Sequence, residues 1–128
     1  MTFLLDTHVL VWAILSRAKL TATAANLIAD ETNTVLVSAA SAWELATKVR
    51  LGKFPEAAIF ENRFLDAVSE AGYTLLAIEV AAALRAGRLA ASHGDPFDRM
   101  IAAQALELDI PVISADRQLD LFSIRRIW

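Results

Sequence analysis

Short uninterrupted apolar runs alternate along this chain with longer stretches in which apolar residues recur every three or four positions. Such runs lie at residues 3–5 and 35–37, within 74–77 after Thr74 and within 112–114 before Ser114. Residues 124–128, where Arg125 and Arg126 separate Ile124 from Ile127, read as a fifth strand. Runs of this length without polar alternation are what strands buried on both faces require. The stretches between them predict helices over residues 7–16, 21–31, 38–51, 55–71, 79–87 and 95–109. Local signals set their ends. Thr21 reads as the N-cap of the second, with Ala24, Leu27 and Ile28 turned inward, and Gly52 stops the third. Pro55 opens the fourth, whose inner side carries Ile59, Phe60, Phe64 and Val68. Strands alternating with helices imply one α/β domain over residues 1–128, with a mostly parallel sheet of about five short strands flanked by helices.

The last predicted helix is the one the pattern does not explain. Pro96 suits a first helical position and makes Asp95 the N-cap. Asp98 then falls at the third position, with Ile101, Ala102 and Ala105 at i+3, i+4 and i+7. That spacing sets a carboxylate on the apolar face, where a charge is costly unless a partner or cation meets it. Other acids stand at related places. Asp6 directly follows the first strand, Asp116 comes two residues after the fourth, and Glu44 is early in the helix after the second. Open parallel sheets bind ligands beyond the carboxyl ends of their strands, so these four acids are expected to meet at one edge. Two bare charges ~5 Å apart repel by about 3 kcal/mol at an effective dielectric of 20. Four such groups must take up protons or bind a divalent cation. All-oxygen donors favour Mg²⁺ or Mn²⁺ over Zn²⁺.

Each acid also has a structural role open to it. Asp6 fits an Asx turn, Asp98 a cap reaching back to the start of its own helix, Asp116 a cap through Gln118, and Asp95 an N-cap with Arg99 at i+4. Ser41 and Glu44 fit the Ser-x-x-Glu capping box, and Glu44 has Lys48 at i+4. His93 reads first as ordering its loop, and His8 as structural. Thr7 and Ser114 beside the strand ends suit either a water-mediated metal contact or a turn. Trp12, Trp43, Phe60 and Phe64 read as core or interface residues before base-stacking platforms.

Composition narrows the setting. Apolar residues make up 56% of the 128, and mean hydropathy is +0.45, an excess that suggests surface covered by another chain. The longest apolar run, residues 9–15, is too short to cross a bilayer, and residues 1–6 lack the pattern of a signal peptide. With no cysteine there are no disulfides or thiolate metal sites, and a soluble cytoplasmic protein is expected. A net charge of −3 argues against nucleic acid. Yet with Asp6, Glu44, Asp95, Asp98 and Asp116 set aside, the 15 acids fall to 10 against 12 bases. A mildly basic rim around an acidic pocket is compatible with that remainder.

Four segments in order carry a family resemblance: residues 4–8 (LLDTH), 38–45 (SAASAWEL), 93–105 (HGDPFDRMIAAQA) and 112–116 (VISAD). Together they resemble a PIN domain, specifically a VapC-type toxin ribonuclease of a bacterial type II toxin–antitoxin pair. The resemblance implies that Asp6, Glu44, Asp98 and Asp116 line a Mg²⁺ or Mn²⁺ site that hydrolyses RNA. Asp6 and Asp98 would be the principal ligands, Glu44 and Asp116 would complete the cluster or act through water, and Asp95 would support it. It also implies a homodimer formed through apolar helical surfaces. A small VapB-like antitoxin would wrap the chain and set an Arg or Lys at the acidic pocket. The expected activity is that of a metal-dependent endoribonuclease leaving a 5′-phosphate and a 3′-hydroxyl. Lys48, Arg50, Lys53, Arg85, Arg88 and Arg99 are candidate RNA-backbone contacts. Two other classes compete with this reading. A phosphoacceptor signalling domain also gathers acids at strand ends, but Asp6 has no acidic neighbour in sequence and no Lys ends a late strand. A non-catalytic module whose acidic pocket docks a basic peptide is the third.

Overall fold

Successive residues of the first strand point to opposite faces, and this divides the core in two. The computed structural model describes residues 1–128. Its five strands are β1 (Thr2–Leu5), β2 (Thr34–Ser38), β3 (Thr74–Leu76), β4 (Val112–Ile113) and β5 (Arg126–Ile127). They form one parallel sheet in the order β3-β2-β1-β4-β5. The chain runs outward from β1 to β3, then crosses back to β4 on the other side of β1. The β1–β4 boundary is therefore a topological switch point, where Leu5 pairs with Ile113.

Seven α-helices cover the sheet: α1 (Thr7–Leu15), α2 (Ala22–Ala29), α3 (Ala39–Arg50), α4 (Ala58–Asn62), α5 (Phe64–Glu70), α6 (Val80–Arg88) and α7 (Pro96–Leu108). Three 3₁₀ turns, Arg17–Lys19, Pro55–Ala57 and Arg117–Phe122, join them. One core gathers Phe3, Leu5, Val35, Val37 and Ile113 under Val9, Leu10, Leu45, Phe60 and Val68. The opposite face seats Leu4, Leu36 and Val112 under Ile101, Ala102, Ala105, Leu119 and Phe122. Burial of such side chains is worth roughly 1.5–3 kcal/mol each, which drives the layering. Five consecutive residues of α7, Ile101 to Ala105, are buried, because the sheet takes one side of the helix and α6 packs on another. No helix is long and apolar enough to cross a membrane.

The expected caps hold at both ends of several helices. Thr21 accepts the Ala24 N–H, and Asp95 accepts those of Phe97 and Asp98. Gly52 takes φ 71°, the left-handed conformation that closes α3, with Lys53 N–H donating to the Lys48 carbonyl.

The helix expected over residues 55–71 is instead a 3₁₀ turn followed by α4 and α5. The break is at Arg63, whose φ −115° and ψ 26° lie outside the helical well. Rephasing on either side buries Ala57, Phe60 and Val68 and leaves Ile59 81% exposed, not inward as its spacing suggested. The capping box is also corrected. Ser38, not Ser41, caps α3 by accepting the Ala40 N–H at 2.9 Å, because β2 ends there and the helix begins three residues earlier. Glu44 is thereby freed from a capping role.

Candidate active site

The carboxyl ends of β1, β2 and β4 deliver three of the four acids or the helices that carry them. Asp6 ends β1 and is only 5% exposed. It caps α1 by accepting the Thr7 N–H on Oδ1 at 2.7 Å, and Ser114, just after β4, donates its hydroxyl to Oδ2 at 2.7 Å. Burial pushes the Asp6 carboxyl up; the Ser114 bond and nearby His8 oppose this, and Glu44 adds to it. Thr7 and Ser41 exchange a hydroxyl bond at 2.9 Å and so tie the start of α1 to α3. Both are turn-fixing groups here, as is Ser114.

Glu44, in the second turn of α3, is 3% exposed. Its Oε2 meets Lys48 Nζ at 2.5 Å, the i+4 pairing that the spacing suggested. Its Oε1 is buried with no hydrogen-bond partner. Asp98, near the start of α7, sets Oδ2 2.8 Å from His93 Nε2. Burial, more than anything, pushes the Asp98 carboxyl up to about 6; the His93 bond opposes the rise, and the charges of Asp6, Asp95 and Glu44 add to it. Asp95 itself is the N-cap of α7, as expected.

Asp6, Glu44, Asp95 and Asp98 thus share one electrostatic neighbourhood. Asp116 stands apart from their mutual repulsion. Its Oδ1 accepts the Gln118 N–H at 2.9 Å and caps the 3₁₀ turn Arg117–Phe122, and its own N–H donates to Ser114 Oγ. It therefore touches Asp6 only through Ser114.

As the side chains stand, no three acidic or imidazole groups are arranged to hold a metal ion. Lys48 and His93 draw Glu44 and Asp98 toward themselves. The donor chemistry nonetheless suits a hard divalent cation: every acid offers oxygen, one buried Glu44 oxygen lacks a partner, and burial with added like charge raises Asp98.

The raised Asp98 carboxyl has a measurable consequence. The folded chain holds this proton to about pH 6, whereas the unfolded chain releases it near the ordinary 3.8. Between those values the native state binds more protons, so this group's contribution to stability falls as pH rises. In urea titrations with EDTA, wild type is expected to lose stability relative to Asp98→Asn from pH 4 to just above pH 6. A constant difference across that range would place Asp98 in ordinary solvent.

Three features were not anticipated. Arg99, a candidate RNA contact and partner of Asp95, instead donates to the carbonyls of Ala86, Leu89, Ala91 and His93 at 2.6–3.1 Å. Gln104 is buried between Ser38 Oγ and the Ala77 carbonyl, joining α7 to the ends of β2 and β3. A polar residue inside an alanine-rich inward face was its only sequence signal. Trp43 is 57% exposed and not in the core; it packs edge-on against Phe97 at 4.6 Å between ring centres. Among the other bases, Arg85 pairs with Glu107, while Arg50, Lys53 and Arg88 are exposed.

Comparison with known families matches residues 3–124 to the PIN domain. No curated protein matches the chain. Among solved structures, VapBC2 from Rickettsia felis, crystallised with a fragment of promoter DNA, is similar with a TM-score of 0.69 and 17% identity, covering 99% of this chain and 98% of that one. FitAcB from Neisseria gonorrhoeae is similar with a TM-score of 0.66 and 19% identity over 98% and 96% of the two chains. VapBC-1 from nontypeable Haemophilus influenzae gives 0.66 and 17% over 99% and 97%. At such identities these likenesses establish the fold.

Proposed function

The chain belongs to the PIN domain family, and from that membership we propose that it is a Mg²⁺- or Mn²⁺-dependent endoribonuclease toxin held inactive by a cognate antitoxin. PIN domains are generally nucleases that use divalent metal ions. The observation that carries the reading onto this chain is Asp98. Burial raises its carboxyl to about 6, the charges of Asp6, Asp95 and Glu44 add to the rise, and one oxygen of that Glu44 carboxylate has no partner. Such repulsion is relieved by a cation.

In this reading Asp6 and Asp98 hold the ion, Glu44 and Asp116 complete its surroundings directly or through water, and Asp95 adds charge from the N-cap of α7. A divalent ion bound there supplies activation of water and charge stabilisation at the phosphodiester. The chain's own groups orient those ligands. Ser114 fixes Asp6 Oδ2, and the Thr7–Ser41 bond fixes the start of α1 against α3. Asp98 must turn from His93 and Glu44 from Lys48 for all the acids to engage. Of the bases first considered for the RNA backbone, Arg50, Lys53 and Arg88 keep that role, since Lys48, Arg85 and Arg99 are engaged elsewhere.

The antitoxin partner is supported by the VapBC and FitAcB likenesses, and the homodimer by the apolar surface alone. Val80, Leu84 and Leu108 of α6 and α7 are exposed. A basic side chain from the antitoxin at the acids would replace the ion's charge and block RNA. The phosphoacceptor alternative is disfavoured because Asp6 has no acidic neighbour in sequence and no Lys ends a late strand.

The test uses the purified chain, freed of any antitoxin, with total RNA. Cleavage is expected with Mn²⁺, with 5′-phosphate ends on the products, and is expected to stop on addition of EDTA. Absence of cleavage, or cleavage indifferent to EDTA, overturns the proposal; binding of a basic partner without Mn²⁺ affinity would favour a non-catalytic module.

A further inference from the structure

Among the basic residues, Lys48 holds a distinctive position. Its ammonium lies 2.5 Å from Glu44 Oε2, and its side chain is 28% exposed, at the open side of an otherwise buried carboxylate. The charges of Asp95 and Asp98 also reach this ammonium. Glu44 Oε1, on the same carboxylate, is buried and unpartnered. Half of a buried carboxylate is therefore neutralised from within the chain while the other half has nothing to bind. A buried oxygen left without a partner costs free energy and marks a position where another group belongs.

A lysine in this position does two things. In the metal-free chain it relieves repulsion among Glu44, Asp95 and Asp98. It also stands in the way of any cation that approaches Glu44, and its flexible four-carbon stem allows it to leave. We propose that Lys48 is a place-holding cation, occupying the acidic site in the metal-free chain and competing with the divalent ion for Glu44, so that it sets the affinity for that ion. The proposal rests on the reading of these acids as an ion site and adds a residue that tunes it.

Two readouts test it without RNA cleavage: calorimetric titration of Mn²⁺ into the metal-stripped full chain, and thermal melts in EDTA and in saturating Mn²⁺. Lys48→Met is expected to bind Mn²⁺ roughly tenfold more tightly than wild type, an effect already discounted for the lysine's partial exposure. The same variant should melt below wild type in EDTA, and the gap should close or reverse with Mn²⁺. Lys48→Arg, which keeps the charge, should bind like wild type. Lys19→Met makes the same change in charge beyond the far end of α1, more than ~10 Å away and screened by salt, and should also bind like wild type. If Lys48→Met does not fold, Lys48→Gln removes the charge while keeping a donor for Glu44. Equal affinity in wild type and the neutral variant overturns the role of Lys48 and leaves the ion site standing. Equal tightening by Lys48→Arg, or by Lys19→Met, overturns it too. No Mn²⁺ binding by any of these proteins overturns both the role and the site.

Discussion

Asp98→Asn is expected to lower Mn²⁺-dependent RNA cleavage at least ~100-fold while leaving the fold intact. The amide matches the carboxylate in shape and can still bond to His93, but it brings no charge to an ion. Groups that only orient a metal ligand cost up to ~100-fold when removed, so loss of a direct ligand should cost no less. Stability should move the other way. At pH 7 the wild-type carboxylate is ionised against the charges of Asp6, Asp95 and Glu44, and the neutral amide escapes that repulsion. The variant should therefore melt at or above wild type in EDTA and gain less from Mn²⁺. Cleavage by Asp98→Asn at the wild-type rate would remove this residue from the machinery.

Arg99→Met should produce the largest loss of stability, roughly 2–3 kcal/mol. The guanidinium donates to five carbonyls between Ala86 and His93, that of Gly87 the most distant at 3.5 Å, and lies 5.9 Å from the centre of the Phe122 ring. One side chain thus fastens the segment between α6 and α7, which carries both His93 and Asp95. Met fills the space but donates nothing, and the freed carbonyls recover only part of the loss from water. Urea unfolding should show a lower midpoint with an unchanged slope. Cleavage should fall with it, because the released segment ends in Asp95, the N-cap that fixes the start of α7 and with it Asp98. Arg99→Lys should rescue little, since a single ammonium cannot reproduce the planar fork. An unfolding free energy within ~0.5 kcal/mol of wild type, the range of an ordinary surface change, would mean that the segment holds itself.

Arg99 also shows where local reading stops. In sequence it is a base four residues after an acid, the usual pattern of a helical ion pair. Its actual partners are carbonyls of a loop whose path depends on how α6 packs against α7. Arg63 is a similar case: nothing in its neighbours marks the break between α4 and α5, which arises from the way the two segments lie on the core. Ser38 and Ser41 present the same cap chemistry three residues apart, and Thr7, from another element, engages one of them. Where the deciding partner lay within a few residues, the outcome was legible. Asp95 caps α7, Thr21 caps α2, Gly52 closes α3 and Lys48 meets Glu44.

The sequence by itself determined the alternation of strands and helices, the parallel sheet buried on both faces, and the identity of the acids that follow its strands. Those features depend on apolar spacing and on caps, whose energies come from near neighbours along the chain. Tertiary structure alone decided how each acid is held. Ser114 reaches Asp6 across 108 residues of chain, and Asp6, Glu44 and Asp98 come to repel one another through a buried, weakly screening interior. Electrostatic coupling depends on distance through space and on the dielectric between the groups, and neither quantity exists until the strands have paired.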